Sequence, residues 1–155
     1  MSLQLPKGLS KKEIVYLLVI YSIAGNNPIS NAKIACELKL AKSTVSITVK
    51  RLVKKGFLKY VDKGIVKLTE KGRRVVHIIL WKHGVLEVAL TRLGFTPDEA
   101  CKITSMIQHV FPDDAVAKLW CLCGRPCQCP HGFKFPTPNN PSFKDKRQYK
   151  VCGRL

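Results

Sequence analysis

Acidic side chains are scarce in this chain: 10 Asp and Glu stand against 27 Lys and Arg in 155 residues, a formal net charge of +17. An excess of that size favours a polyanionic partner, because cationic side chains neutralise phosphates and release their counterions. Long apolar runs are also missing. The longest, Ile14 to Ala24, has 11 residues and stops at Gly25-Asn26-Asn27-Pro28, whereas a membrane span needs ~20. No membrane partner is therefore expected. The segment Met1 to Ser10 lacks the apolar core of a secretory signal, which makes the cytoplasm the expected compartment. With 46% hydrophobic and 24% charged residues the chain lacks the signature of disorder, and its length excludes a large multidomain enzyme.

The charge is unevenly placed. Residues 1 to 80 carry 16 basic and 4 acidic side chains, residues 81 to 119 carry 4 and 5, and residues 120 to 155 carry 7 and 1. General solubility would not require one end to be basic and the middle neutral. A nucleic-acid module followed by a neutral packing module fits this map.

Local signals give the elements. Ser10-Lys11-Lys12-Glu13 is an S-x-x-E capping box that opens a helix running to about Ala24. Ser30 or Asn31 caps a short second helix with Ala32, Ile34, Ala35 and Leu38 on it. A third helix spans Ser43 to Lys55, with Val45, Val49, Leu52 and Val53 on one side and Gly56 as its stop. Two strand-like runs, Phe57 to Val61 and Ile65 to Leu68, flank Asp62-Lys63-Gly64 and read as a β-hairpin. Three helices and a hairpin make a winged helix-turn-helix. Thr69 caps a long fourth helix, whose apolar arc from Val75 to Leu90 is too wide for the surface of a monomer and so suggests a subunit contact. Thr96-Pro97-Asp98-Glu99 opens a fifth helix to about Val110, and Pro112-Asp113-Asp114 a sixth. Beyond Cys121 the composition turns to Cys, Pro, Gly and Asn, so order there depends on a cross-link. The expected fold class is mainly α with a small β-hairpin wing: a winged helix-turn-helix DNA-binding domain over 1–72, a helical metal-binding and dimerisation domain over 73–136, and an irregular basic tail over 137–155.

In such a motif the second helix enters the major groove. The arc of the third helix opposite its core stripe holds Ser43, Ile47, Lys50, Arg51 and Lys54, with Lys42 and Thr44 at its start. The cations would track phosphates. Ile47 is either an isolated exposed apolar residue or an apolar contact to a thymine methyl. Ser30, at the start of the second helix, and Lys63, at the hairpin turn, complete the DNA-facing set.

Seven cysteines without a secretion signal point to metal or redox chemistry. Cys121, Cys123, Cys127, Cys129 and His131 place four sulfurs and an imidazole within 11 residues, a set suited to zinc or another thiophilic ion; free or disulfide-linked thiols are the alternative. Cys36 and Cys101 stand alone on helices and read as packing residues, and Cys121 also reads as core. His83 and Glu87 share a helix face at ligand-pair spacing, which is more often the spacing of a surface hydrogen bond.

Residues 11 to 136 resemble the iron- and manganese-dependent repressor family, that of the diphtheria toxin repressor and the manganese transport regulators. The likeness runs through Ile20-Tyr21, Ser43-Thr44-Val45-Ser46, Leu68-Thr69-x-x-Gly72, His83-x-x-x-Glu87, Gln108-His109-Val110 and Cys129-Pro130-His131-Gly132. It implies homodimers that bind operator DNA when a divalent metal is present, in the two-module form without the family's SH3-like domain. It also implies two metal sites. At one, the family's Met or Asp, Cys or Glu, Glu, and His are matched by Val15, Ser105, Gln108 and His109; valine cannot coordinate and Ser and Gln are poor donors, so this site is expected to be weakened. At the other, His83, Glu87, Cys129 and His131 match throughout and form one divalent site. Cys121, Cys123, Cys127 and Cys152 exceed the pattern and would replace some of these ligands or hold a second ion. Several relatives carry a polar base-reading residue where this chain has Ile47.

The expected function is thus a metal-dependent DNA-binding transcriptional regulator, a repressor acting as a homodimer on double-stranded operator DNA. Its cofactor is a divalent ion, zinc first by ligand chemistry, with iron and manganese next. The alternative is a DNA-binding regulator whose zinc is structural, or whose thiols sense oxidants, without response to metal concentration. A zinc hydrolase is set aside because the chain has no H-E-x-x-H motif or nucleophile constellation.

Overall fold

The computed structural model describes residues 4–138; Cys152 and most of the expected tail lie outside them. Two compact units follow the chain, Lys7–Val76 and His77 onward together with the segment up to Pro6.

In the first unit, Ser10 and Glu13 close the capping box that starts α1 (Lys11–Ala24), and Gly25, at φ 58, ends it. Glu13 does more than cap. Its buried carboxylate receives Lys55 Nζ at 2.8 and 2.9 Å, and the same ammonium donates to the carbonyl of Gly8 at 2.7 Å. The two-residue strand β1 (Ile29–Ser30), too short to show a period-two pattern, leads directly into α2 (Asn31–Leu38), which Ser30 caps through the Lys33 amide. α3 (Lys42–Lys54) buries Val45, Thr48, Val49 and Leu52. The hairpin is β2 (Leu58–Asp62) and β3 (Ile65–Leu68), paired antiparallel with an irregularity between Tyr60 and Asp62, and β1 adds to the other edge of β3. Ile14, Leu17, Ile20, Ile34, Val49, Leu52 and Val66 fill the core.

The Leu68-Thr69-x-x-Gly72 motif fixes how the hairpin hands over to α4 (Glu70–Arg92). Thr69 Oγ1 donates to the Gly56 carbonyl at 2.7 Å and accepts from the Gly72 amide at 3.1 Å. Gly72 has no alternative there, since a Cβ would stand 2.1 Å from the carbonyl oxygen of Phe57.

The second unit packs the rest of α4 with α5 (Pro97–Ile107), which starts on the Thr96/Glu99 capping box, α6 (Asp113–Leu122) and the irregular segment that follows. Trp81, Val85, Leu86, Val116, Trp120, Cys129 and Phe135 form its core, with Trp81 and Trp120 edge to face at 6.0 Å, an arrangement worth about 1 kcal/mol beyond burial. Lys82, 1% exposed, is neutralised by Asp113 at 2.6 Å and donates to the Phe111 carbonyl at 2.6 Å. Much of the width of the α4 apolar arc is accounted for inside the chain. Val75, Val76, Ile78, Ile79, Leu80, Val85 and Leu86 are all buried within the single chain, and only Val88 and Leu90 are half-exposed. No helix among the described residues is long and apolar enough to cross a membrane.

Candidate metal centre and nucleic-acid face

The outer arc of α3 is open. Lys42, Ser43, Ile47, Lys50, Arg51 and Lys54 are exposed and Thr44 half-buried, with Ile47 at 61% exposure in the middle of the row. Ala41 precedes the helix and offers no side-chain cap. Lys63 is exposed at the turn of the hairpin, beside Tyr60 and Val61, which are exposed as well. Ser30 is occupied otherwise: its hydroxyl serves the N-terminus of α2.

The chemistry of the second unit centres on Glu87, which is 0% exposed. Helical spacing places His83 one turn before it, with Nε2 3.4 Å from Glu87 Oε2. Cys101, on α5, brings its sulfur to 3.6 Å from the same Nε2. The third contribution comes from a turn. Cys129-Pro130-His131-Gly132 closes through the Gly132 amide to the Cys129 carbonyl at 2.8 Å, with Gly132 at φ 83 as a left-handed corner; the Cys129 amide returns to Phe133 at 2.9 Å. Cys129 is buried, and His131 sets Nδ1 2.5 Å from Glu87 Oε1 and Nε2 3.0 Å from Asp98 Oδ1. Gly84 admits Phe135, which follows this turn, because a Cβ there would stand 2.1 Å from its buried ring.

The donors therefore gather as two trios that share Glu87: His83, Glu87 and Cys101, and Glu87, Cys129 and His131. Each trio keeps its ligand atoms within 4.8 Å of one another. All four residues expected to form one site are present, but His83 is grouped with Cys101 rather than with the turn. Cys101 is half-buried and packs against the core cluster, as its isolation in the sequence suggested, and it also brings its sulfur to His83. No local spacing could reveal it, since its partners come from another helix. Cys121 and Cys127 are exposed, so the expectation of Cys121 as core fails; Cys123 is buried, and all three fall outside both trios. Cys36 is exposed on α2, not packed.

The positions matched to the weakened site have other engagements. Gln108 directs Oε1 to His83 Nδ1 at 2.8 Å, and Ser105 donates to the Cys101 carbonyl at 2.9 Å. His109 is half-buried and belongs to neither trio.

Donor chemistry and spacing fit a divalent ion. Ligand atoms about 2.0–2.3 Å from a tetrahedral ion stand ~3.3–3.6 Å apart, the separations found from His83 Nε2 to Glu87 and to Cys101. Glu87 Oε2 is buried with no partner inside hydrogen-bond range and faces the His83 imidazole, whose Nε2 stands 3.4 Å away; a carboxylate in that setting needs positive charge beside it. Gln108 is placed to give the outer support that a ligating histidine needs: its amide oxygen, 2.8 Å from Nδ1, can accept a hydrogen bond there and leave Nε2 toward Glu87 and Cys101. Without an ion the imidazoles take up the charge. Burial alone would push His83 down, yet its contacts with Cys101 and Glu87 prevail and raise it to about 9; His131 is raised against its partial burial by Asp98 and Glu87.

Comparison with known proteins agrees with this division. Residues 8–66 match the N-terminal DNA-binding domain of iron-dependent repressors, and residues 69–137 match their metal-binding and dimerisation domain. The chain belongs to the iron-dependent repressor family. An HTH-type transcriptional regulator of Aeropyrum pernix is 30% identical over 148 residues, 94% of this chain and 82% of the relative. The iron-dependent repressor IdeR of Mycobacterium tuberculosis is 30% identical over 79% of this chain, which spans 54% of that relative's length. Among solved structures, hypothetical protein SSo2273 from Sulfolobus solfataricus superposes with a TM-score of 0.74 at 32% identity, covering 83% of this chain and all of its own. ScaR with bound Zn2+ gives 0.73 at 29%, covering 86% of this chain and 63% of its own. This member of the iron-dependent repressor family is thus a helix-turn-helix transcriptional regulator with the family's fold in both modules.

Proposed function

We propose that this regulator binds operator DNA as a homodimer and represses transcription when a divalent ion is held around Glu87 by His83, Cys101, Cys129 and His131. The observation that carries the reading is the buried Glu87 carboxylate, whose Oε2 has no partner inside hydrogen-bond range while imidazole and thiol donors converge on it. Mixed nitrogen, sulfur and oxygen donors favour zinc, with iron next; manganese prefers harder ligands. An ion there supplies the positive charge that lets Glu87 and the thiolates remain buried and anionic. The chain's own residues do the rest: Gln108 orients His83, and the 129–132 turn fastens its segment to α4.

DNA contact falls to Lys42, Ser43, Thr44, Lys50, Arg51 and Lys54 on α3 and Lys63 on the hairpin, with Ile47 as the apolar base contact. Two such heads in a dimer would address successive major grooves about 34 Å apart. The deciding experiment measures operator affinity by fluorescence anisotropy across titrated Zn2+, Fe2+ and Mn2+ and after chelation. A rise of tenfold or more with one ion is expected. Affinity unchanged by chelation, with an ion still tightly held, would instead make the metal structural.

A further inference from the structure

The hairpin buries little of its own edge. β2 is the outer strand of the three-stranded sheet, and from Lys59 to Asp62 every residue on it is exposed, Tyr60 at 45% and Val61 at 53%. The register steps from Tyr60 to Asp62 on β2 against Val66 to Ile65 on β3, so Val61 is the extra residue of a β-bulge, a device that re-aims a side chain. On the face away from the buried Leu58/Leu68 pair, Lys59 stands directly opposite Lys67. Like charges facing each other across strands destabilise a sheet. Among the described residues the Lys and Arg side chains paired with carboxylates are those of Lys55, Arg73 and Lys82, so Lys59, Lys63 and Lys67 are uncompensated. Asp62, the one acid of the hairpin, has its Oδ1 on the Lys63 amide at 2.7 Å.

We propose that this hairpin seats in the minor groove of duplex DNA, with Tyr60 and Val61 packing on the sugar edges inside the groove and Lys59, Lys63 and Lys67 on the phosphates that rim it. This seat rests on the DNA reading above and deepens it: α3 reads the major groove, and the hairpin, which starts where the Phe57 amide returns to the Leu52 carbonyl of α3 at 2.9 Å, reads the groove beside it. Uncompensated cations call for a polyanion. Protection of a sheet edge accounts for a lysine on β2 but not for two consecutive apolar side chains next to it. The minor groove answers both features, with phosphates on either rim and, between them, deoxyribose edges that carry no 2′-hydroxyl. Its floor differs between A·T and G·C pairs by the guanine N2 amino group. That group stands in the way of an apolar tip, so the hairpin favours pairs that lack it.

The test uses the full-length chain in Zn2+-containing buffer and two alternating duplexes, poly(dG-dC) and poly(dI-dC). Inosine presents the major-groove edge of guanine but lacks the N2 amino group, so the two polymers offer different donors only in the minor groove. Native protein should bind poly(dI-dC) more tightly by about fivefold or more, and Tyr60→Ser/Val61→Ser should bind both alike. Lys67→Glu sets an acid opposite Lys59. It should raise the thermal midpoint while weakening both duplexes, with the slope of log affinity against log salt shallower by about 1–2; this variant carries the test if the serine pair fails to give a native circular dichroism spectrum. Equal affinity of native protein for the two polymers, or a serine variant that keeps the preference, overturns the minor-groove seat and leaves the reading by α3 in place. An unchanged salt slope in Lys67→Glu overturns the phosphate contacts of the hairpin. No affinity of native protein for either duplex overturns the DNA reading itself.

Discussion

The amide oxygen of Gln108 lies 2.8 Å from Nδ1 of His83, so one nitrogen of the imidazole is engaged and the other, Nε2, is turned toward Glu87 and Cys101. Gln108→Leu removes this support without touching a donor. It should weaken the ion held around Glu87 by about 10–100-fold, the usual cost of losing an outer-shell partner of a metal-bound histidine. Competition with a chromophoric chelator reads this directly. Unchanged affinity would mean that His83 is oriented by Glu87 and Cys101 alone.

Gly84 lies beside His83, where any Cβ would enter the ring of Phe135. Phe135 is 2% exposed and cannot swing into solvent cheaply. Gly84→Ala should therefore cost about 1–3 kcal/mol, the range for overpacking a close-fitted core. The strain falls on the segment bearing Cys129 and His131, since the Phe135 amide is bonded to the Cys127 carbonyl at 3.0 Å. Thermal unfolding with metal analysis should show a lowered midpoint and poorer retention of the bound ion. A midpoint unchanged within error would mean the helix and segment separate without loss.

Much of the fold is legible in the sequence because its signals are local. Ser10/Glu13 and Thr96/Glu99 each close a capping box within four residues, and Gly25 and Gly56 stop helices by their own backbone freedom. The site was legible only where it too was local. His83 and Glu87 are one turn apart and Cys129 and His131 share one turn of chain; spacing put each pair together, and the family resemblance joined them into one candidate site. How those pairs combine is a tertiary fact. Cys101 is brought to His83 by the packing of α5 on α4, and Gln108, which looks like a lost ligand by position, is instead a hydrogen-bond partner of His83. Apolar width on α4 records burial but not whether the covering surface belongs to the same chain.

Lys82 and Asp113 differ in exposure, 1% against 17% of their side chains, and that difference predicts unequal mutational costs. Asp113→Ala strands a buried ammonium and also removes the acceptor of the Leu5 amide; it should cost about 3–5 kcal/mol, as breaking a buried pair does. Lys82→Met leaves Asp113 with some solvent and with the Leu5 amide, and should cost less. Urea denaturation of the metal-free protein distinguishes them, and equal losses would contradict the assignment of Lys82 as the more deeply buried charge.

Glu13 makes the stability of the first unit depend on acid. Burial alone would raise its carboxyl, but hydrogen bonds and charge from Lys55 and the Ser10 amide outweigh that and hold it below its ordinary 4.5. A lowered carboxyl stabilises the fold above 4.5, where both folded and unfolded forms are ionised. That contribution is lost as pH falls through the lowered native value, where the folded carboxylate takes up its proton. Glu13→Gln should destabilise the unit by about 1–3 kcal/mol at neutral pH, the scale of a charged hydrogen-bonded pair, and flatten the loss of stability below pH ~4.5. Unfolding midpoints across that range check it; an acid limb as steep as the native one would assign the pH dependence to other carboxylates.

On α3, the cations and Ile47 should fail in different ways because they serve different terms of DNA affinity. Arg51 is exposed on the outer arc, and a phosphate contact there releases about one counterion, so Arg51→Ala should weaken operator and unrelated duplex alike. The slope of log affinity against log salt should become shallower by about 1. Ile47, 61% exposed yet apolar, carries no charge to release. If it packs on a thymine methyl, Ile47→Ala should weaken operator binding alone, by about 1–3 kcal/mol of base discrimination, with the salt slope and nonspecific affinity retained. Replacing that thymine by uracil, which lacks the methyl, should weaken the native protein and leave Ile47→Ala indifferent. Equal weakening of both proteins by the uracil would place Ile47 away from the base.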